Sequence, residues 1–167
     1  MHRQTAPVPA PGSKRQAVGE LLTFPLAERL WGVELNAINE VVSMPPRGFT
    51  PTPGGGDCLL GLVNLGGRVI PVLSALAALT WEDGNRTAPP GPNYWREAKL
   101  LLTGYEQSSV GLAVPELGAV YELSAGGEPE PESSQGLALM RLKFGDKQVF
   151  AFDLDGLIRL CLERNRR

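Results

Sequence analysis

The sequence predicts a mainly β protein assembled from small barrels or a sandwich, and three observations predict it. Short apolar segments alternate at a two-residue period, Gly and Pro punctuate them at frequent intervals, and one segment has the full chemistry of a hairpin. That segment is Gly61-Leu-Val-Asn-Leu-Gly-Gly-Arg-Val-Ile-Pro-Val72. Gly66 and Gly67 supply the positive φ that a two-residue primed turn demands, while Val69, Ile70 and Val72 are β-branched residues suited to a strand. Pro71 cannot donate a ladder hydrogen bond, so the returning strand is expected at a sheet edge or with its pairing broken at that residue.

The remaining elements follow in order. Residues 1–19 hold Pro7, Pro9, Pro11 and Gly12 with almost nothing large and apolar, and are expected to be a flexible tail. From Glu20, Leu22, Phe24 and Leu26 alternate with Leu21, Thr23 and Pro25, a strand that Pro25 assigns to an edge. Trp31, Val33 and Leu35 fall on one face opposite Glu34, and Ile38, Glu40 and Val42 continue the alternation. The Pro and Gly clusters around Arg47 to Asp57 read as a loop. After the hairpin, Ser74 can cap a short helix over Ala75 to Leu79, and the Pro-rich segment 82–92 reads as a connector between halves 20–81 and 93–162.

The second half repeats the style. Ala98 to Thr103, Ser109 to Val114 and Gly118 to Leu123 are expected strands, and Ser124 to Gly136 is an acidic Gly/Pro/Ser loop. Ala138 to Phe144 and Gln148 to Leu154 form a second hairpin about Gly145-Asp146, with Phe150 and Phe152 on one face. Leu154, Leu157, Ile158 and Cys161 recur at i, i+3, i+4 and i+7 behind Asp153 or Asp155, the pattern of a capped amphipathic helix. Residues 163–167, with Arg164, Arg166 and Arg167, close the chain as a basic, solvated tail.

Composition narrows the function. A formal charge of −2 and no basic stripe argue against nucleic acid as a partner. No stretch reaches the ~18 uninterrupted apolar residues of a membrane span, and the N-terminus has no apolar signal core, so a cytoplasmic protein without membrane insertion is expected. Cys58 and Cys161 are the two cysteines and indicate neither a disulfide framework nor a zinc site.

Nucleophilic catalysis needs a base, and the sole imidazole is His2 in the tail. Gly54-Gly-Gly56 lacks the Gly-Lys-Ser/Thr of a phosphate loop. Asp153 and Asp155 fit capping better than acid/base work, and the Pro-interleaved Glu128, Glu130 and Glu132 fit a solvated loop better than a metal site. No catalytic residue, metal ligand or cofactor is assigned, and exposed strands and loops are the expected working surface.

The hairpin segment resembles the signature of CheW-like coupling proteins, the adaptors that join chemoreceptors to a histidine kinase. Trp31-Gly-Val-Glu-Leu with Ile38-Asn-Glu-Val-Val42, Val110-Gly-Leu-Ala-Val114 and Gly118-Ala-Val-Tyr-Glu-Leu123 are similar to flanking strands of that family, so the resemblance spans roughly Glu20 to Leu162. It implies two small five-stranded, SH3-like β-barrels packed together, with a short C-terminal helix. It also implies a non-catalytic scaffold whose partners are the regulatory domain of a CheA-type histidine kinase and the cytoplasmic tip of a chemoreceptor, for chemotaxis or pilus motility.

Carried over by motif, the resemblance implies partner contacts at Ile38, Glu40, Gly61, Asn64, Leu65, Gly66 and Arg68. For each of these a purely structural role is the alternative: Ile38 and Leu65 as core, the glycines as backbone geometry, Asn64 as a turn residue. Three positions depart from the family pattern: Gly66 stands where Arg is usual, and Ser74 and Pro115 each replace an Asp. A small-ligand sensing module using the groove between the barrels is the alternative function.

Overall fold

A computed structural model describes residues 3–4, 19–52, 58–79, 96–123, 128–129, 137 and 139–165. The strands in these residues are β1 (Arg3–Gln4), β2 (Gly19–Leu26), β3 (Arg29–Glu34), β4 (Glu40–Ser43), β5 (Phe49–Pro51), β6 (Leu59–Leu65), β7 (Arg68–Ser74), β8 (Lys99–Tyr105), β9 (Ser108–Val114), β10 (Val120–Leu123), β11 (Glu128–Pro129), β12 (Leu139–Phe144) and β13 (Lys147–Phe152). Helix α1 (Ala75–Leu79) follows β7, and helix α2 (Leu154–Asn165) follows β13. One sheet has the order β1-β10-β2-β3-β13-β12-β11, the other β4-β8-β9-β7-β6-β5.

The two sheets share one wiring plan. In each, a short strand (β10, which carries β1 on its other side, or the edge strand β4) pairs antiparallel with the first strand of a hairpin (β2–β3 or β8–β9). The return strand of that hairpin then pairs in parallel with the return strand of a second hairpin (β12–β13 or β6–β7). The registers coincide: Ala151 lies opposite Gly32 in one sheet and Val72 opposite Gly111 in the other, at equivalent steps from their turns. A helix follows the second hairpin in both.

This wiring corrects the expected division at 82–92, which lies outside the described residues. Strands β8 and β9 complete the sheet begun by β4 to β7, while β2 and β3 join the later strands β10, β12 and β13. The chain starts one sheet, builds the other, and returns. Each return strand leaves an unpaired edge, and the parallel partners β3–β13 and β7–β9 satisfy those edges across long sequence separations.

Both proline expectations are resolved by where pairing stops. β2 is an interior strand, not the edge that Pro25 suggested; β10 pairs only with Gly19 to Leu22, so Pro25 lies beyond its reach. Likewise β7 is interior, and its parallel pairing with β9 begins at Val72, one residue after Pro71. The expected loop from Arg47 contains the short strand β5, which pairs Phe49 with Val63 and Pro51 with Gly61. Leu35 belongs to a 3-10 turn, Leu35–Ala37, rather than to the β3 strand. Within the expected tail, Arg3 and Gln4 pair in parallel with Val120 and Tyr121.

Local signals in the sequence set the helix starts. The Ser74 hydroxyl accepts from the Ala77 amide at 3.1 Å, and Asp153 Oδ2 accepts from the Gly156 amide at 3.2 Å. α2 buries Leu154, Leu157, Ile158 and Cys161 along one face, as its spacing predicts.

The core has three parts. A central cluster lies between the sheets, joining Phe24, Trp31 and Phe152 of one to Leu73, Leu101 and Leu112 of the other, with both helices packed on it. A second lies inside the β4–β9 sheet around Val63, Ile70, Val72 and Leu100. A third holds Leu21, Tyr121, Leu142 and Val149. Full burial of each such side chain contributes about 1.5–3 kcal/mol. Buried polar groups in this core are paired: Trp31 Nε1 donates to the Leu26 carbonyl at 3.0 Å, and the Thr23 and Thr103 hydroxyls donate to the Ala119 and Ala37 carbonyls at 2.6 and 2.7 Å.

Candidate partner-binding surface

The β6–β7 hairpin closes with Leu65 opposite Arg68, leaving Gly66 and Gly67 as a two-residue turn at φ 60° and 86°. Both angles are left-handed, the requirement of a type I′ turn. Asn64 ties the tip together. Its Oδ1 accepts from the Gly67 amide at 2.9 Å, and its own amide donates to the Gly48 carbonyl at 2.9 Å. A Cβ placed on Gly66 or Gly67 meets nothing within 4 Å, so the tip is bare rather than crowded.

Gly61, at the far end of β6, is the opposite case. A Cβ there would run into the Thr50 carbonyl and sit 2.8 Å from Pro51 Cα, because β5 crosses close at this point. Gly61 is buried and is needed for strand approach, which supports the structural alternative for that residue.

The seven residues implied at partner surfaces do not form one patch. Asn64, Leu65, Gly66 and Arg68 come together at the hairpin tip, where Asn64, Gly66 and Arg68 are exposed and Leu65 packs half-buried against the core of its own sheet. Ile38 follows the 3-10 turn, half-buried against the central core, with its amide donating to the Leu35 carbonyl at 3.1 Å. Glu40 is exposed on β4, opposite Leu102. Strands β8, β9 and β7 intervene between β4 and β6 in the sheet order, so Ile38 and Glu40 belong to a separate region.

Two residues absent from that set complete the surface. Leu62 and Val69 point outward from the hairpin, 43% and 64% exposed, flanking the buried Val63–Ile70 pair. Leu62 lies opposite Pro71 on one side and Thr50 on the other, so an apolar outward face runs across β6 and β7 toward the tip with Asn64 on it, while Arg68, paired with Leu65, belongs to the opposite phase of the strand at the tip itself. The signal was present in the sequence: apolar residues occupy both phases of the alternation here, although an outward face normally reads polar.

The equivalent hairpin in the other sheet shows how unusual that face is. Aligned on their turns, Leu142–Val149 corresponds to Val63–Ile70, so Arg141 and Gln148 stand where Leu62 and Val69 do. Phe150 takes the place of Pro71, and the Arg29 guanidinium covers its ring at 5.0 Å. Ser108 occupies the position equivalent to Arg29 in the first sheet and is too short to cover Pro71 in the same way. One hairpin face is polar and covered; the other is apolar and open.

Among the described residues there is no group of three or more His, Cys, Asp or Glu side chains able to hold a metal ion, and no helix is long and apolar enough to cross a membrane.

No curated protein matches the chain in sequence. Among solved structures, the scaffolding protein TtCheW from Thermoanaerobacter tengcongensis superposes with a TM-score of 0.65 at 22% identity, covering 84% of this chain and 92% of that one. This likeness establishes the two-subdomain, mainly β fold with its short C-terminal helix. The family model for the CheW-like domain matches residues 20–160, nearly the whole described fold, and the chain therefore belongs to the CheW-like domain family.

Proposed function

We propose that this protein is a non-catalytic scaffold that couples chemoreceptors to a CheA-type histidine kinase in a chemosensory array. The observation that carries the reading is the open apolar face of the β6–β7 hairpin, formed by Leu62, Val69 and Pro71 next to Asn64, with Arg68 exposed at the tip that ends it. An apolar anchor with a hydrogen-bonding side chain beside it and a cation at its end is the anatomy of a protein interface. Family membership supplies the class of partner: the kinase regulatory domain and the helical cytoplasmic tip of a receptor. Glu40 and Ile38, away from this hairpin, provide a second contact region, which suits a chain that must hold two partners at once. Gly66 removes the guanidinium that the family usually carries at the tip, and with it a rigid fork able to pair with carboxylates, so Arg68 is the cation left to meet an acidic partner here.

Titration calorimetry of the purified protein against a kinase regulatory domain and against a receptor tip from the same cell tests the proposal. Saturable heat with both partners, additive in the ternary mixture, is expected. No heat with either at high micromolar concentration overturns it.

A further inference from the structure

The two sheets end on equivalent short strands that are held very differently. Aligned on their hairpins, β5 corresponds to β11: Thr50 lies opposite Leu62 as Glu128 lies opposite Arg141, and Pro51 lies opposite Gly61 as Pro129 lies opposite Met140. β5 has a third pair, Phe49 with Val63, and Phe49 packs half-buried on the core of its sheet. It is also tied down beyond both ends, where the Asn64 amide donates to the Gly48 carbonyl at 2.9 Å and the Thr52 amide donates to the Leu60 carbonyl at 3.1 Å. β11 pairs through two residues among those described. In the sequence Gly127 precedes Glu128 where Phe49 precedes Thr50, so the apolar anchor has no counterpart, and Pro129 has no amide hydrogen to donate.

From Leu142 to Phe144 the outer edge of β12 has no partner strand among the described residues, which leaves amides and carbonyls that an added strand can pair. The face beside that edge is cationic. Arg141 and Lys143 share it by alternation, Phe150 lies opposite Arg141, and the Arg29 guanidinium sits 5.0 Å from the centre of the Phe150 ring. Neither β12 nor β13 contains an acidic residue, and Asp146 is confined to the turn between them. Gly126, two residues before Glu128 in the sequence, brings no charge to set against Lys143. In the other phase of the strand Met140 is 43% exposed.

We propose that the outer edge of β12 is a strand-addition site for an extended acidic segment of a partner protein, which takes the place of β11. Running antiparallel as β11 does, the incoming segment reads acidic, apolar, acidic, apolar opposite Lys143, Leu142, Arg141 and Met140. Its two acids meet the two cations, its first apolar residue supplies the anchor that Phe49 gives to β5, and its second covers Met140. The chain's own Gly126-Gly-Glu-Pro129 offers one acid and neither apolar residue, so β11 shields the edge and yields it. The site lies on the other sheet from the β6–β7 face and does not depend on what that face binds.

Fluorescence anisotropy of the full chain with a labelled, capped peptide containing Glu-Phe-Glu-Val tests the site, with Lys-Phe-Lys-Val in the same frame as the control. Saturable binding of the acidic peptide alone is expected, with slower amide exchange in Leu142 to Phe144 and faster exchange at Glu128. Lys143→Glu should weaken binding roughly fivefold, while Glu128→Gly, which loosens β11, should tighten it roughly threefold. No saturable binding to the native chain or to Glu128→Gly up to millimolar peptide would overturn the proposal. Equal binding of the lysine peptide, indifference to Lys143→Glu, or amide protection at β4 in place of β12 would do the same.

Discussion

The two sheets are built to one plan, yet their second hairpins present opposite faces. β12–β13 carries Lys143, Asp146, Lys147 and Gln148 exposed around its tip, and its Phe150 ring is covered by Arg29. β6–β7 carries a bare Gly66-Gly67 tip and the outward Leu62 and Val69. Because strand order, pairing sense and register agree, the backbone does not account for the difference. The apolar face is a property added to a common frame, and a face that folding does not require is the natural place for recognition.

The turns divide along the same line. Both first hairpins bend through two non-glycine residues at positive φ: Ala27 and Glu28 at 51° and 63°, Glu106 and Gln107 at 46° and 68°. Both second hairpins begin their turns with glycine, Gly66 at 60° and Gly145 at 65°. Packed flanking strands can impose a left-handed turn on ordinary residues, at a cost of about 1–2 kcal/mol per residue. Glycine at the β6–β7 tip avoids that cost and leaves the apolar face unobstructed.

The largest expected effect separates the two hairpins at their bases. Gly61→Val drives a side chain into the backbone of β5 and should cost about 3 kcal/mol, read as a fall in melting temperature of roughly 10 °C. Met140→Val, at the equivalent place on β12 where the side chain is exposed, should move the same transition by no more than about 1 °C. Equal effects would mean that Gly61 is no more crowded by its neighbouring strand than the exposed Met140 position.

Recolouring one face as the other comes next. The double substitution Leu62→Arg/Val69→Gln copies the residues of the second sheet onto the first. It should weaken partner binding at least about tenfold, near 1.4 kcal/mol, while stability stays within about 0.5 kcal/mol. Unchanged titration heats with both partners would remove the hairpin face from the binding surface.

The tips give the smaller effects. The open space around Gly66 admits an arginine side chain, but φ of 60° does not suit it, so Gly66→Arg should lower stability by about 1 kcal/mol without loss of the fold. The reverse change at an equivalent left-handed turn position, Glu106→Gly, should raise stability by about 0.5 kcal/mol, since relief of strain slightly exceeds the added freedom of the unfolded chain. Denaturant melts of the two variants resolve the signs, and destabilisation by Glu106→Gly would show that its side chain contributes more than the turn costs.

Much of the fold was legible from neighbouring residues. The Gly66-Gly67 and Gly145-Asp146 turns, the caps Ser74 and Asp153, and the buried stripe of α2 are set by local dihedral preference and by side-chain period, which adjacent residues encode directly. The tip residues Asn64, Gly66 and Arg68 were legible for the same reason, through a motif confined to one hairpin. Leu62 and Val69 were harder to see, since a period of two shows which residues share a face but not whether another element covers that face.

The sequence by itself determined where the chain turns, which residues alternate, and to which family the hairpin motif points. Only the tertiary structure decided that β2 and β3 join β13 and β10 rather than the strands next in order, and that Pro25 and Pro71 sit inside sheets at the limits of pairing. The physical reason is the same in each case. Turns and periods are local properties of the backbone, whereas a strand edge is satisfied by any partner with free amides and carbonyls, and the choice among partners is made by the packing of the whole core.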